Sequence, residues 1–234
     1  MIGQIIALGG GGFSEESDNT LLDDYILGLC RSSRPRVCFL PTASGDARAY
    51  IDKFYGSFPP ARAQATHLSV FAPSDVADVR SFLMEQQVIY VGGGSTLNLL
   101  ALWRLHGLDA VLRDAWHNAV ILAGISAGMV CWFEEFVTDS YLGGGLGPYQ
   151  HGLGFLPGSA CPHYEDPQRR TIYKSLVEAN ELSGGIGAEG CVALHYVGGV
   201  LAKAVTSNAH RTAYSVRWVE NTVMEEPLEA FVLR

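Results

Sequence analysis

The chain has 234 residues, 48% hydrophobic and 17% charged, enough apolar material for a sizeable core and for one medium-sized domain over 1–234. A formal net charge of −8 with no basic run argues against nucleic acid or an anionic membrane surface as partner. No apolar run approaches the roughly 20 residues that span a membrane, and five scattered cysteines without a CxxC pair indicate reduced thiols in a cytoplasmic protein, with neither structural metal nor cofactor.

The chain enters its first apolar stretch at 4–8 without the basic flank of a signal peptide. Short apolar runs then alternate with helical periodicity, the pattern of an α/β fold with a mostly parallel sheet covered by helices on both faces. Strands are expected over 4–8, 36–41, 65–71, 88–91 and 120–123, and helices over 21–30, 47–54, 75–84, 96–105 and 108–118. Ser74-Asp75 marks the start of the third helix. Several strands end in Gly9-Gly10-Gly11-Gly12, Pro41-Thr42 or Gly92-Gly93-Gly94, turns that should share one functional rim beyond the strands' carboxyl ends. Past Asp139 a glycine-rich loop at 143–148 precedes a helix over 167–182, with Pro167 in its first turn. From Cys191 to Leu233 the chain alternates as an antiparallel extension, with Gly198-Gly199 as a hairpin turn.

Gly124-Ile125-Ser126-Ala127-Gly128 lies between a buried-strand run and a helical pattern over 127–133. A strand, a sharp turn bearing Ser and a helix is the arrangement that lifts a hydroxyl above a sheet as a nucleophile. The flanking glycines permit a strained backbone, and the Ala127 N–H at the helix start suits a developing oxyanion. The plainer reading is that Ser126 caps the following helix. Gly92-Gly93-Gly94-Ser95-Thr96 is a second strand-to-helix turn rich in free amides. It lacks the Lys of a nucleotide phosphate loop, so it reads as the other half of an oxyanion hole, with Gly93 as donor and Gly94 beside it.

A serine nucleophile needs a base, and the base an orienting acid. Of seven histidines, His163 stands out because a short extended segment, Ser159-Ala160-Cys161-Pro162, ends on it. Glu189, at a glycine-flanked turn, is the leading acid, with Asp139, Glu165 and Asp166 as competitors.

Gly92-Gly93-Gly94-Ser95-Thr96, Gly124-Ile125-Ser126-Ala127-Gly128, Pro162-His163-Tyr164 and Ile186-Gly187-Ala188-Glu189-Gly190, in this order, resemble the peptidase E family of serine peptidases. That family includes aspartyl dipeptidases and cyanophycinases, and its fold is similar to class I glutamine amidotransferases. The resemblance implies a Ser126-His163-Glu189 triad working through an acyl-enzyme on a short peptide or small amide, with Asp139 near the site. It also places Gln168 where the aspartyl dipeptidases hold the substrate's acidic side chain with an arginine, and Arg169 and Arg170 come next. Gln cannot supply that charge, so a preference for Asp is not carried over. Two other readings use the same residues: hydrolysis or acyl transfer on a non-peptide metabolite, and a non-catalytic small-molecule-binding protein of the same fold. Self-association as a homodimer is left open.

Overall fold

The computed structural model describes residues 2–72 and 76–234. In chain order the first half comprises β1 (Gln4–Leu8), α1 (Gly12–Glu15), α2 (Leu21–Gly28), β2 (Arg36–Leu40), α3 (Arg48–Ser57), β3 (Gln64–His67), α4 (Val79–Met84), β4 (Val88–Val91), α5 (Thr96–His106), α6 (Leu108–His117), β5 (Ile121–Ile125) and α7 (Ala127–Val130). The second half continues with β6 (Phe133–Thr138), β7 (Gly147–Tyr149), β8 (Leu156–Cys161), α8 (Pro167–Glu178), β9 (Gly185–Ala188), β10 (Val192–Val197), β11 (Val200–Thr206), β12 (Ala213–Val219), β13 (Thr222–Pro227) and β14 (Ala230–Val232).

An eight-stranded sheet runs β14-β11-β10-β1-β5-β4-β2-β3, in which β1 to β5 are mutually parallel. Alternate residues of each central strand face opposite cores. Ile5, Cys38 and Ile89 pack with Leu99, Trp103 and Leu112 of α5 and α6, whereas Ile6, Phe39 and Tyr90 pack with Phe13, Ile26 and Phe54 of α1 to α3. Both faces being apolar explains why these strands show no polar alternation. Gly198 and Gly199 turn β10 into β11 with φ of 60° and 82°, the positive pair a two-residue hairpin turn requires.

Three elements depart from the sequence reading. The strand expected over 65–71 stops at His67, because the Asp46 carboxylate accepts from the amides of Val70 and Phe71 at 2.8 and 3.0 Å and draws the chain off the sheet. The expected helix start at Ser74-Asp75 lies outside the described residues; α4 is capped by Asp78, which accepts from the Ser81 N–H at 3.0 Å. The helix expected over 127–133 is a single turn, after which the chain enters a second sheet. That sheet, ordered β13-β12-β9-β8-β6-β7, has a parallel centre, so the chain beyond the elbow builds more than an antiparallel extension. Tyr164, Tyr173, Val177 and Val216 pack α8 against it.

Candidate active site

β1, β5 and β4 are neighbours, with Leu8 opposite Ile125 and Val91 opposite Gly124, so the chain leaves all three strands side by side. Ser126 therefore emerges between the glycine turns at the ends of β1 and β4. Its backbone has φ 54° and ψ −107°, a conformation that costs a non-glycine residue of order 1–3 kcal/mol. Neighbouring hydrogen bonds hold it there: the Ser126 N–H donates to the Leu8 carbonyl at 3.0 Å, and the Ser126 carbonyl accepts from Met129 and Val130 at 2.9 and 3.0 Å. The glycines on either side are sterically required. A side chain on Gly124 would collide with the Gly128 carbonyl, and one on Gly128 with Val91. The Ser126 hydroxyl makes no capping bond to α7, so it is left free for another partner.

That partner is His163. β8 delivers Cys161 and Pro162 to the seam between the sheets, where the His163 N–H donates to the Gly9 carbonyl at 3.0 Å and that of Tyr164 to Ala188 at 3.1 Å. Pinned at φ 51°, His163 sets Nε2 2.9 Å from Ser126 Oγ. A base within this distance of a hydroxyl can take its proton directly.

Glu189 is brought to the same corner, since Tyr164 beside His163 bonds the Ala188 carbonyl next to it. It is 7% exposed, and its Oε2 accepts from the Thr212 N–H at 3.0 Å. Among the described residues neither Glu189 nor any other carboxylate is hydrogen-bonded to His163. A carboxylate that the sequence did not single out, Glu15, also stands beside the ring. A Cβ built on Gly10 would lie 3.0 Å from His163 Nδ1 and 2.9 Å from Glu15 Oε2, so both atoms border one small space. Glu15 Oε2 also accepts from the Gly11 N–H at 2.8 Å. Its position just beyond the glycine turn that ends β1 was the available signal. Of the competing acids, Glu165 accepts from the Gly190 N–H and Asp166 caps α8.

On the oxyanion side, Gly93 lies beside Ser126, a Cβ there falling 3.5 Å from Ser126 Cβ, and its N–H donates to the Tyr50 hydroxyl at 3.2 Å, while Gly94 and Ala127 line the cleft. Tyr50 in turn donates to Ser14 Oγ at 2.9 Å. The cleft holds about 220 Å³. Its far wall is an ion pair between Arg169 and Asp139. Gln168 does not line it, its N–H bonding the Asp166 cap. Arg170 turns away to Glu225, at 2.6 Å, and stacks over Tyr214. The two arginines thus divide: one faces the cleft, the other braces the second sheet.

A serine on a strand–turn–helix junction of an α/β sheet, bonded to a histidine, is the architecture of a serine hydrolase. Similarity to known proteins narrows this. The model of peptidase family S51 matches residues 5–203. The chain is 50% identical over 228 residues to the uncharacterized peptidase YgaJ of Bacillus subtilis (strain 168), covering 96% of each. It is 26% identical over 147 residues to peptidase E of Streptomyces coelicolor, 63% of this chain and 58% of that one. A crystal structure of a peptidase from an acI-B1 actinobacterium has the same fold, with a TM-score of 0.69 over 98% of this chain and 95% of that one at 18% identity. The chain belongs to peptidase family S51 and is a serine-type peptidase of the peptidase E kind.

Proposed function

We propose that this peptidase hydrolyses short peptides through an acyl-enzyme on Ser126. The observation that carries this is the 2.9 Å contact between Ser126 Oγ and His163 Nε2 at the floor of a cleft. Ser126 Oγ attacks the scissile carbonyl carbon while Nε2 takes its proton. The amides of Gly94 and Ala127 receive the oxyanion. His163 then protonates the departing amine, leaving an ester on Ser126. Water, deprotonated by the same imidazole, attacks that ester and releases the second product. Glu189 is the acid of the triad in this proposal: Thr212 orients its carboxylate, and its second oxygen, Oε1, accepts no hydrogen bond from a described residue.

A cleft of about 220 Å³ is smaller than drug-sized sites, which run from about 300 to 1,000 Å³. Closed on one side by Asp139 and Arg169, it suits a few substrate atoms on each side of the scissile bond rather than a folded chain. Among the described residues no helix is long and apolar enough to cross a membrane. The five free cysteines support a reducing, cytoplasmic setting.

The test is hydrolysis of a library of di- to tetrapeptides, read by mass spectrometry, together with labelling by a fluorophosphonate. Cleavage that disappears in Ser126→Ala, with the label recovered on Ser126, is the expected result. Cleavage that survives Ser126→Ala overturns the assignment. Turnover of simple esters but of no peptide points to a non-peptide substrate instead.

A further inference from the structure

A second cleft, of about 540 Å³, lies among α1, α2 and α3 and shares no lining residue with the one at Ser126. Phe13 and Pro59 supply apolar wall, and Asp23 a carboxylate. Asp23 is 1% exposed. The Tyr90 hydroxyl donates to its Oδ1 at 3.0 Å, while Oδ2 accepts no hydrogen bond from any described residue. Burial, only partly opposed by the Tyr90 bond and by nearby Arg62, pushes this carboxyl up to about 7. A carboxylate oxygen with no protein partner at a cavity wall is open to a donor that enters the cavity.

The other charged groups around the cleft are not equally available. Arg62 is bound to Asp24 at 2.6 Å and to the Ser57 carbonyl. Glu16 is occupied by the Gly12 amide, Asn19 and Ser207. Lys53 spends one donor on the Ser14 carbonyl, at 2.6 Å, and an ammonium has two more. One free acceptor on a buried carboxylate and one incompletely used cation therefore remain, in a cleft whose wall also includes Phe13 and Pro59.

We propose that this second cleft binds a free amino acid with an apolar side chain, its ammonium on Asp23 Oδ2, its carboxylate on Lys53 and its side chain against Phe13 and Pro59. The paired charges select the ligand class. A simple amine would leave Lys53 unused, and a simple carboxylate would meet Asp23.

The experiment is titration calorimetry of the intact protein with L-leucine, with isoamylamine (the same molecule without its carboxylate) and with 4-methylpentanoate (without its ammonium). Saturable binding of L-leucine is expected, with isoamylamine weaker and 4-methylpentanoate not binding. Asp23→Asn should weaken both L-leucine and isoamylamine by about tenfold or more, whereas Lys53→Met should weaken L-leucine and leave isoamylamine unchanged. Asn can still accept the Tyr90 hydroxyl, and Lys53 lies at the surface, so at least the second variant keeps the fold; thermal unfolding verifies both. No saturation by L-leucine up to about 10 mM, or binding indifferent to both substitutions, overturns the proposal.

Discussion

Ser126 and His163 both have positive φ, 54° and 51°, although neither is glycine. Such backbone persists only where surrounding bonds over-determine it. At Ser126 those bonds come from Leu8, Met129 and Val130. Glycine adopts the same conformation without steric cost, so Ser126→Gly is expected to abolish turnover and yet raise unfolding free energy by about 1 kcal/mol, as read from urea denaturation. A less stable variant would mean that the elbow is not strained. His163 poses the opposite question, since its Nε2 has a partner and its Nδ1 borders Glu15 without a bond to it. If Glu189 orients the ring, Glu189→Gln should lower kcat by roughly 10²–10⁴-fold with KM little changed, and Glu15→Gln by less than about tenfold. The reverse ranking assigns the acid to Glu15. Ser126 and His163 were legible in the sequence because each ends an extended run at a turn. Glu189 was legible as the glycine-flanked acid, whereas Glu15 was not, because its approach to His163 depends on how the chain after β1 folds against the end of β8.

The glycine turn after β4 works as an element supported from behind. Tyr50 of α3 accepts from the Gly93 N–H and stacks on Phe13, ring centroids 5.5 Å apart, so the first peptide of the turn is tied to the helical layer. Gly94, at φ 135°, then passes so close to the Ala43 carbonyl that no side chain fits. Tyr50→Phe leaves the Gly93 amide without its acceptor. We expect a loss of about 1–3 kcal/mol in stability and a fall in kcat of about tenfold, KM being nearly unchanged because Tyr50 touches no part of the cleft at Ser126. A fall in stability with kcat intact would make Tyr50 a purely structural residue. The turn itself was readable as three glycines between strand and helix; the tyrosine holding it, about 40 residues upstream, was not. The second sheet was hidden for a related reason. Its strands carry Gly158, Gly185 and Gly187, which weaken an apolar strand pattern. Gly185 is there because the Ser159 carbonyl occupies the place of a Cβ, and Gly187 because the Tyr164 ring does. The glycines that break the strand pattern thus stand where backbones and rings pack most closely.

In the whole molecule the candidate nucleophile belongs to the eight-stranded sheet and the candidate base to the end of a strand in the six-stranded one, so activity depends on how the two are docked. Stability has a different long-range determinant in Asp23. Burial raises its carboxyl from 3.8 to about 7, against the Tyr90 hydroxyl and Arg62, with Asp24 and Glu16 adding to the rise. A carboxyl with a raised folded pKa keeps its proton in the folded protein at pH values where the unfolded chain has already released it. Across the window from about 4 to about 7 the folded state therefore binds more protons, and its unfolding free energy falls as pH rises. At about 1.4 kcal/mol per pKa unit, the effect is a few kcal/mol, fully developed above pH 7. Asp23→Asn removes this titration while leaving an acceptor for Tyr90. The variant should thus gain stability relative to the native protein between about pH 5 and about pH 8, when both are unfolded by urea at each pH. Comparing the two proteins cancels the growing repulsion within a chain of net charge −8, which is common to both apart from Asp23. A stability difference that stays constant over this range would mean that Asp23 is already ionised in the folded protein at pH 5, held so by cations reaching it through the second cleft.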